Sequence, residues 1–127
     1  MSNRRHSVLV AESSRAIAES LRFHLLRAGL TVIVAHDGDQ AAILAARQRF
    51  DLMIIDLDLP VISGKEFCRH LREDLQLTEI PLVVLTATEP GELVFKFDIA
   101  RVFTKPIDPG IVAQFAKAAF ADELVSV

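Results

Sequence analysis

The chain has 127 residues, which suffices for one domain with one hydrophobic core, and we expect residues 1–127 to form a single domain. Hydrophobic residues make up 51% and charged residues 24% of the sequence, a composition that excludes a disordered or low-complexity chain. The formal net charge of -3 disfavours direct binding of nucleic acid through a basic surface.

Apolar runs of four to six residues alternate with stretches of helical period, and this alternation is typical of an α/β fold with a parallel sheet. The middle runs are apolar almost throughout, which indicates strands buried on both faces by helices. The predicted strands span residues 7–11, 30–35, 52–57, 81–86 and 101–104.

Helix signals lie between the predicted strands. The first helix should begin near Ser13 or Ser14, either of which can cap it, and should end at Gly29. The second is predicted over residues 39–49 and the third after Gly64. We therefore predict helices of ordinary length after each of the first three strands.

The last two helix predictions differ in strength. Asp108 and Pro109 form a cap followed by a first-turn proline, which is a clear start signal for the last helix. The residues between Thr86 and Lys105 begin with the breakers Pro90 and Gly91, so the fourth helix should be short or irregular.

Polar residues follow four of the predicted strands. In an open parallel sheet, the carboxyl ends of the strands meet at one edge, where ligands bind. Carboxylates gathered there require a cation, and hard oxygen ligands favour Mg²⁺. A carboxylate beside a metal, a hydroxyl and an ammonium can accept a phosphoryl group, and Asp56 is the candidate nucleophile. The residues concerned are Glu12, Asp56 with Asp58, Thr86 and Lys105.

Four segments in this order resemble the receiver domain of bacterial two-component response regulators. They are VLVAE at residues 8–12, DLMIIDLDLP at 51–60 leading to Gly64, PLVVLTA at 81–87 and FTKP at 103–106. The resemblance covers nearly the whole chain. It implies a (βα)₅ doubly wound fold with strand order 2-1-3-4-5, and a cis peptide bond before Pro106.

The resemblance also implies the function and the role of each site residue. Asp56 would accept phosphate from a histidine kinase or phosphotransfer protein. Mg²⁺ would be held by Glu12, Asp56 and the backbone carbonyl of Asp58. Thr86 would bond a phosphoryl oxygen and Lys105 would neutralise it. The domain would act by binding a downstream protein. It would not be an enzyme, and it would catalyse at most its own phosphorylation and dephosphorylation.

Two positions and the length of one segment depart from the family pattern. Ser13 stands where the family usually has a second acid, so we expect weaker Mg²⁺ binding. Val102 stands at the aromatic switch position three residues before Lys105, and Phe103 should point to the opposite face of the strand. The segment between Thr86 and Lys105 is shorter than usual, which weakens the helix of the usual signalling surface.

Two alternatives accompany this interpretation. A pseudo-receiver, a binding module that no longer depends on phosphate, is favoured by Ser13, Val102 and the short segment. A phosphatase of the haloacid dehalogenase type shares the Asp56-x-Asp58 motif but carries it on its first strand, whereas here it follows the third.

Cysteine usage and hydropathy predict the setting of the domain. A single cysteine, Cys68, excludes an internal disulfide and a zinc site of four thiolates, and we expect it in the core. Because no apolar run approaches a signal-peptide core or a membrane span, we expect a cytoplasmic protein without membrane contact. The sequence leaves the cognate kinase, the pathway and the oligomeric state open.

Overall fold

The computed structural model describes residues 5–121, so the two ends of the predicted 1–127 domain lie outside the described residues. Its centre is a parallel five-stranded sheet in the order β2-β1-β3-β4-β5, which confirms the expected strand order. The strands are β1 (Ser7–Ala11), β2 (Thr31–Ala35), β3 (Leu52–Asp56), β4 (Leu82–Thr86) and β5 (Ile99–Thr104).

Five α-helices connect and cover the strands. Side-chain caps begin four of them: Ser14, Asp37, Ser63 and Asp108 each accept an N–H bond from the first helical turn. A π-helical turn, His70–Asp74, continues the third helix. The helices are α1 (Arg15–Arg27), α2 (Gly38–Arg47), α3 (Gly64–Arg69), α4 (Leu93–Lys96) and α5 (Pro109–Ala119).

Two apolar layers form the core, one on each face of the sheet. Alternate residues of β1 enter opposite layers, Val8 and Val10 on one face and Leu9 and Ala11 on the other. The layer around Val8 contains buried residues of α1 and α5, whereas the layer around Leu9 contains residues of α2, α3 and α4. Burial on both faces explains why β3 and β4 are apolar almost throughout.

Some predicted boundaries were wrong by one or two residues. The second helix begins at Gly38 rather than 39, because Asp37 accepts the Gln40 N–H at 2.7 Å, and it ends at Arg47. The fifth strand begins at Ile99 rather than 101, because Ile99 pairs with Leu82. Only sheet pairing makes that extension favourable, since Ile99 follows a turn residue.

The short fourth helix is confirmed: α4 has four residues. Val102 and Phe103 lie on opposite faces of β5, as predicted, because Val102 packs with the Leu9 layer and Phe103 with the Val8 layer. Cys68 is buried, and the Lys105–Pro106 bond is cis. Within residues 5–121, no helix has the length and apolar character needed to cross a lipid bilayer.

Candidate functional site

Glu12 directly follows β1 and is fully buried. Its backbone N–H donates to the carbonyl oxygen of Ala35 at 3.0 Å, and its Oε2 accepts the N–H of Ser14 at 2.8 Å. The residue that caps α1 therefore holds this carboxylate at the carboxyl edge of the sheet.

Asp56 is the last residue of β3, and it is also fully buried. One carboxylate oxygen, Oδ1, accepts the backbone N–H of Asp58 at 2.9 Å. The other, Oδ2, accepts the hydroxyl of Ser13 at 2.9 Å. These donors fix the orientation of the carboxylate.

Lys105 joins the two carboxylates. Its Nζ lies 2.9 Å from Oε1 of Glu12 and 3.3 Å from Oδ1 of Asp56. Its backbone N–H donates to the carbonyl oxygen of Thr86 at 2.8 Å, which ties the end of β5 to the end of β4. One ammonium thus faces two buried carboxyl groups, and the cluster has one negative charge in excess when both are ionised.

Burial and hydrogen bonds act differently on the two carboxyls. Burial raises the pKa of Glu12 above its ordinary value, against the opposing effects of the Ser14 amide and Lys105. Burial also acts to raise the pKa of Asp56, but hydrogen bonds led by the Asp58 amide and Ser13 lower that pKa below its usual value. Asp56 is therefore the carboxyl that ionises more readily.

Lys105 keeps its charge in this setting. Burial acts to lower the pKa of its ammonium, but the contacts with Glu12 and Asp56 raise that pKa above the ordinary lysine value. The fixed positive charge therefore lies where a transferred anionic group would need it.

Thr86 lies at the end of β4, as predicted. It is buried, and its hydroxyl bonds to the next loop. Its Oγ1 donates to the carbonyl oxygen of Thr88 at 2.9 Å and accepts the Thr88 N–H at 3.1 Å. The described contacts therefore bring Glu12, Asp56 and Lys105 together, while Thr86 is engaged by Thr88.

The site offers hard oxygen donors, although fewer carboxylates than a three-acid site. The side chain of Asp58 is exposed, and no group of three His, Cys, Asp or Glu residues suitable for a metal occurs within residues 5–121. Oε1 of Glu12, apart from its ion pair with Lys105, accepts no well-aligned hydrogen bond from the described residues. The oxygen atoms of two buried carboxyls fit a Mg²⁺ ion in donor type, although Lys105 already pairs with both of them.

Three contacts of the site were not foreseen from the sequence. Ser13, considered there as a possible helix cap and as a missing acid, donates to Asp56. Thr88 holds the Thr86 hydroxyl, and the ring of His36 lies 3.1 Å from the carbonyl oxygen of Glu12 through Nδ1. The acidic residues that follow neighbouring strands predicted the main cluster. Ser13, Thr88 and His36 belong to no sequence motif that would predict their contacts.

Gly64 brings the β3–α3 connection against the site. A Cβ atom at this position would lie 2.2 Å from the carbonyl oxygen of Asp56 and 2.6 Å from the Cα of Leu57. Such distances do not occur between real atoms, so only glycine allows this close packing.

Comparison with known proteins identifies the family of this chain. Residues 8–117 match the model of the response regulator receiver domain. The chain is 40% identical over 82 residues to the response regulator MprA of Mycobacterium ulcerans, which covers 65% of this chain and 34% of that protein. It is 33% identical over 114 residues to the alkaline phosphatase synthesis transcriptional regulatory protein PhoP of Bacillus subtilis, covering 87% and 47% respectively.

Solved structures extend the comparison to the fold. The chemotaxis response regulator CheY4 of Vibrio cholerae superposes with a TM-score of 0.82 at 28% identity, over 91% of this chain and 98% of that one. This chain spans a third to a half of the curated relatives named above, but nearly all of CheY4. The chain therefore belongs to the receiver domains of two-component response regulators, which act in phosphorylation-based signalling.

Proposed function

We propose that Asp56 is the phosphoacceptor of this domain and that a histidine kinase or phosphotransfer protein is the donor. The observation that carries the proposal is the buried cluster in which Lys105 lies 2.9 Å from Glu12 and 3.3 Å from Asp56. In the transfer, the N–P bond of a phosphohistidine breaks, a bond forms between phosphorus and an Asp56 oxygen, and the histidine nitrogen keeps the electron pair.

The residues of the site have separate roles in this proposal. Asp56 is the nucleophile, because its lowered pKa keeps it ionised near neutral pH. Lys105 stabilises the charge on the phosphoryl oxygens. Thr86 hydrogen-bonds one of those oxygens after its hydroxyl leaves Thr88. A bound Mg²⁺ would supply further charge neutralisation, held by Glu12, Asp56 and the backbone carbonyl of Asp58.

The wider assignments follow from the family. Receiver domains are generally not enzymes, and response regulators interact with histidine kinases and downstream effectors. We propose that residues 1–127 form one cytoplasmic receiver domain, which catalyses only its own phosphorylation and dephosphorylation and signals through a downstream protein. The expectation of no direct nucleic-acid binding concerns these residues alone, since the Bacillus relative is by name a transcriptional regulator of which this chain covers 47%.

The second candidate is the phosphate-independent pseudo-receiver. Ser13 favours it, because the family usually has an acidic metal ligand at this sequence position. Here the Ser13 hydroxyl instead donates a hydrogen bond to Oδ2 of Asp56. Incubation with Mg²⁺ and acetyl phosphate, followed by intact mass measurement, separates the two candidates. The receiver gains one phosphoryl group, whereas an unchanged mass across several donors and long incubations supports the pseudo-receiver.

The first prediction of this proposal concerns the metal. Ser13→Asp should tighten Mg²⁺ binding by at least about tenfold, because an added carboxylate supplies a hard ligand and a charge close to the cation. Calorimetric titration of both proteins measures the difference. Ser20→Asp, which adds the same charge further along α1, should leave the affinity nearly unchanged. Equal affinities in Ser13→Asp and the wild type would contradict the prediction.

A second prediction concerns the signalling route. Val102 is β-branched and too small to swing between buried and exposed positions, so the response should pass through the backbone after Thr86. With the phosphoryl mimic beryllofluoride bound, amide exchange should change within the segment between Thr86 and Phe103, and the change should be concentrated over residues 89–96. A change confined to Asp56 and its immediate neighbours would show that this route is not used.

A further inference from the structure

Arg72, in the π-helical turn after α3, binds two separate loops through its guanidinium. Nη1 donates to the carbonyl oxygens of Leu77 at 2.7 Å and Ile80 at 2.8 Å, in the connection to β4. Nε donates to the carbonyl oxygen of Phe97 at 2.9 Å and Nη2 to that of Asp98 at 3.0 Å, in the turn between α4 and β5. A planar fork of donors can hold two chain segments in one geometry.

The segment that follows Thr86, residues 87–96, ends at the turn between α4 and β5. Phe97 is buried in the core, whereas Asp98 adopts a positive φ of 52°. A non-glycine residue in this conformation is uncommon and persists where its surroundings hold it. The hydrogen bonds from Arg72 to the carbonyl oxygens of Phe97 and Asp98 stabilise this backbone conformation.

The other end of the segment is fastened by a different contact. The Thr86 hydroxyl bonds the carbonyl and the N–H of Thr88, and the proposed phosphorylation withdraws that hydroxyl. Between the two ends, Gly91 has a φ of 64°, and the side chain of Phe95 on the short α4 is 88% exposed. The segment is anchored in the core by Leu93 and lies between one releasable end and one clamped end.

We propose that Arg72 is a positioning residue that fixes the far end of this segment, so that a conformational change started at Thr86 stops before Asp98. The proposal rests on the proposed phosphoacceptor function and adds the boundary of the moving surface. The guanidinium also joins this boundary to residues 77–80, so its loss frees both loops together.

The test compares amide exchange with and without beryllofluoride, whose binding is measured separately by ¹⁹F NMR. In the wild type, the mimic should change the amide exchange rates of residues 87–96. The exchange rates of Asp98, Ile99 and the 77–80 loop should stay within about twofold of their values without the mimic. In Arg72→Met, exchange of Asp98, Ile99 and the same loop should rise by about tenfold or more without the mimic, since several hydrogen bonds are lost. The change caused by the mimic should then extend past Asp98.

Two further variants separate the clamp from a general loss of stability. Arg72→Lys keeps the charge but cannot reach carbonyls on both sides, so it should behave like Arg72→Met while folding more readily. Arg69→Met removes an arginine three residues earlier, one that pairs with Asp74 at the surface, and should leave the boundary in place.

The outcomes distinguish this inference from the proposed function. If beryllofluoride does not bind the wild type and acetyl phosphate does not label it, the proposed function fails and the Arg72 inference fails with it. If both react but the change already crosses Asp98 in the wild type, only the Arg72 inference is overturned. Full rescue of the boundary by Arg72→Lys would overturn it as well.

Discussion

The Asp56→Asn variant is expected to gain no phosphoryl group from acetyl phosphate under conditions that label the wild type completely. An amide oxygen is a poor nucleophile. Glu12 is the other buried carboxyl beside Lys105 and Ser13, but burial raises its pKa, whereas hydrogen bonds lower the pKa of Asp56. The fold should persist, because the substitution keeps the shape of the side chain and relieves repulsion from Glu12. Intact mass and circular dichroism measure the two effects.

Asp58→Asn is the matched control for this experiment. The side chain of Asp58 is exposed, and the contribution that Asp58 makes to Asp56 is its backbone N–H. The control should therefore label like the wild type. Labelling of Asp56→Asn, or loss of labelling in the folded Asp58→Asn protein, would contradict the assignment of Asp56 as sole phosphoacceptor.

Substitution of Gly64 should strongly reduce the stability of the fold. The added Cβ of Gly64→Ala would lie 2.2 Å from the carbonyl oxygen of Asp56, a backbone atom that cannot turn away. Either α3 or the end of β3 must shift, and we expect a loss of about 3 kcal/mol or more in the free energy of unfolding. Phosphorylation should fall in parallel, because Asp56 moves with its backbone. Urea unfolding and labelling measure both.

Gly110→Ala controls for the general effect of removing a glycine. Gly110 lies in the first turn of α5, and its nearest Cβ contact would be Oδ1 of Asp108 at 3.2 Å. We expect a change of less than about 1 kcal/mol, with alanine's helix preference offsetting a small shift of that side chain. A Gly64→Ala protein as stable as this control would show that the β3–α3 connection yields easily.

Local signals account for most of what could be predicted about the fold. Apolar runs predict strands because both faces of each central strand are covered, and the cap at Asp108 with Pro109 predicts the start of α5 to the residue. The π-helical turn after α3 was not predicted. Arg72 within this turn donates to the carbonyl oxygens of Phe97 and Asp98, about 25 positions away, and no local preference encodes such contacts.

The sequence by itself determined the parallel α/β architecture and the set of acidic, hydroxyl and lysine residues at the strand ends, because strand period and chain order are local properties. Only the tertiary structure decided how these residues are paired. Lys105 bridges Glu12 and Asp56, Ser13 bonds Asp56, and Thr86 bonds Thr88. The physical reason is that these partnerships depend on side-chain rotamers and on distances of a few ångströms between separate strands. Those distances are fixed only when the sheet has assembled and its two apolar layers have packed.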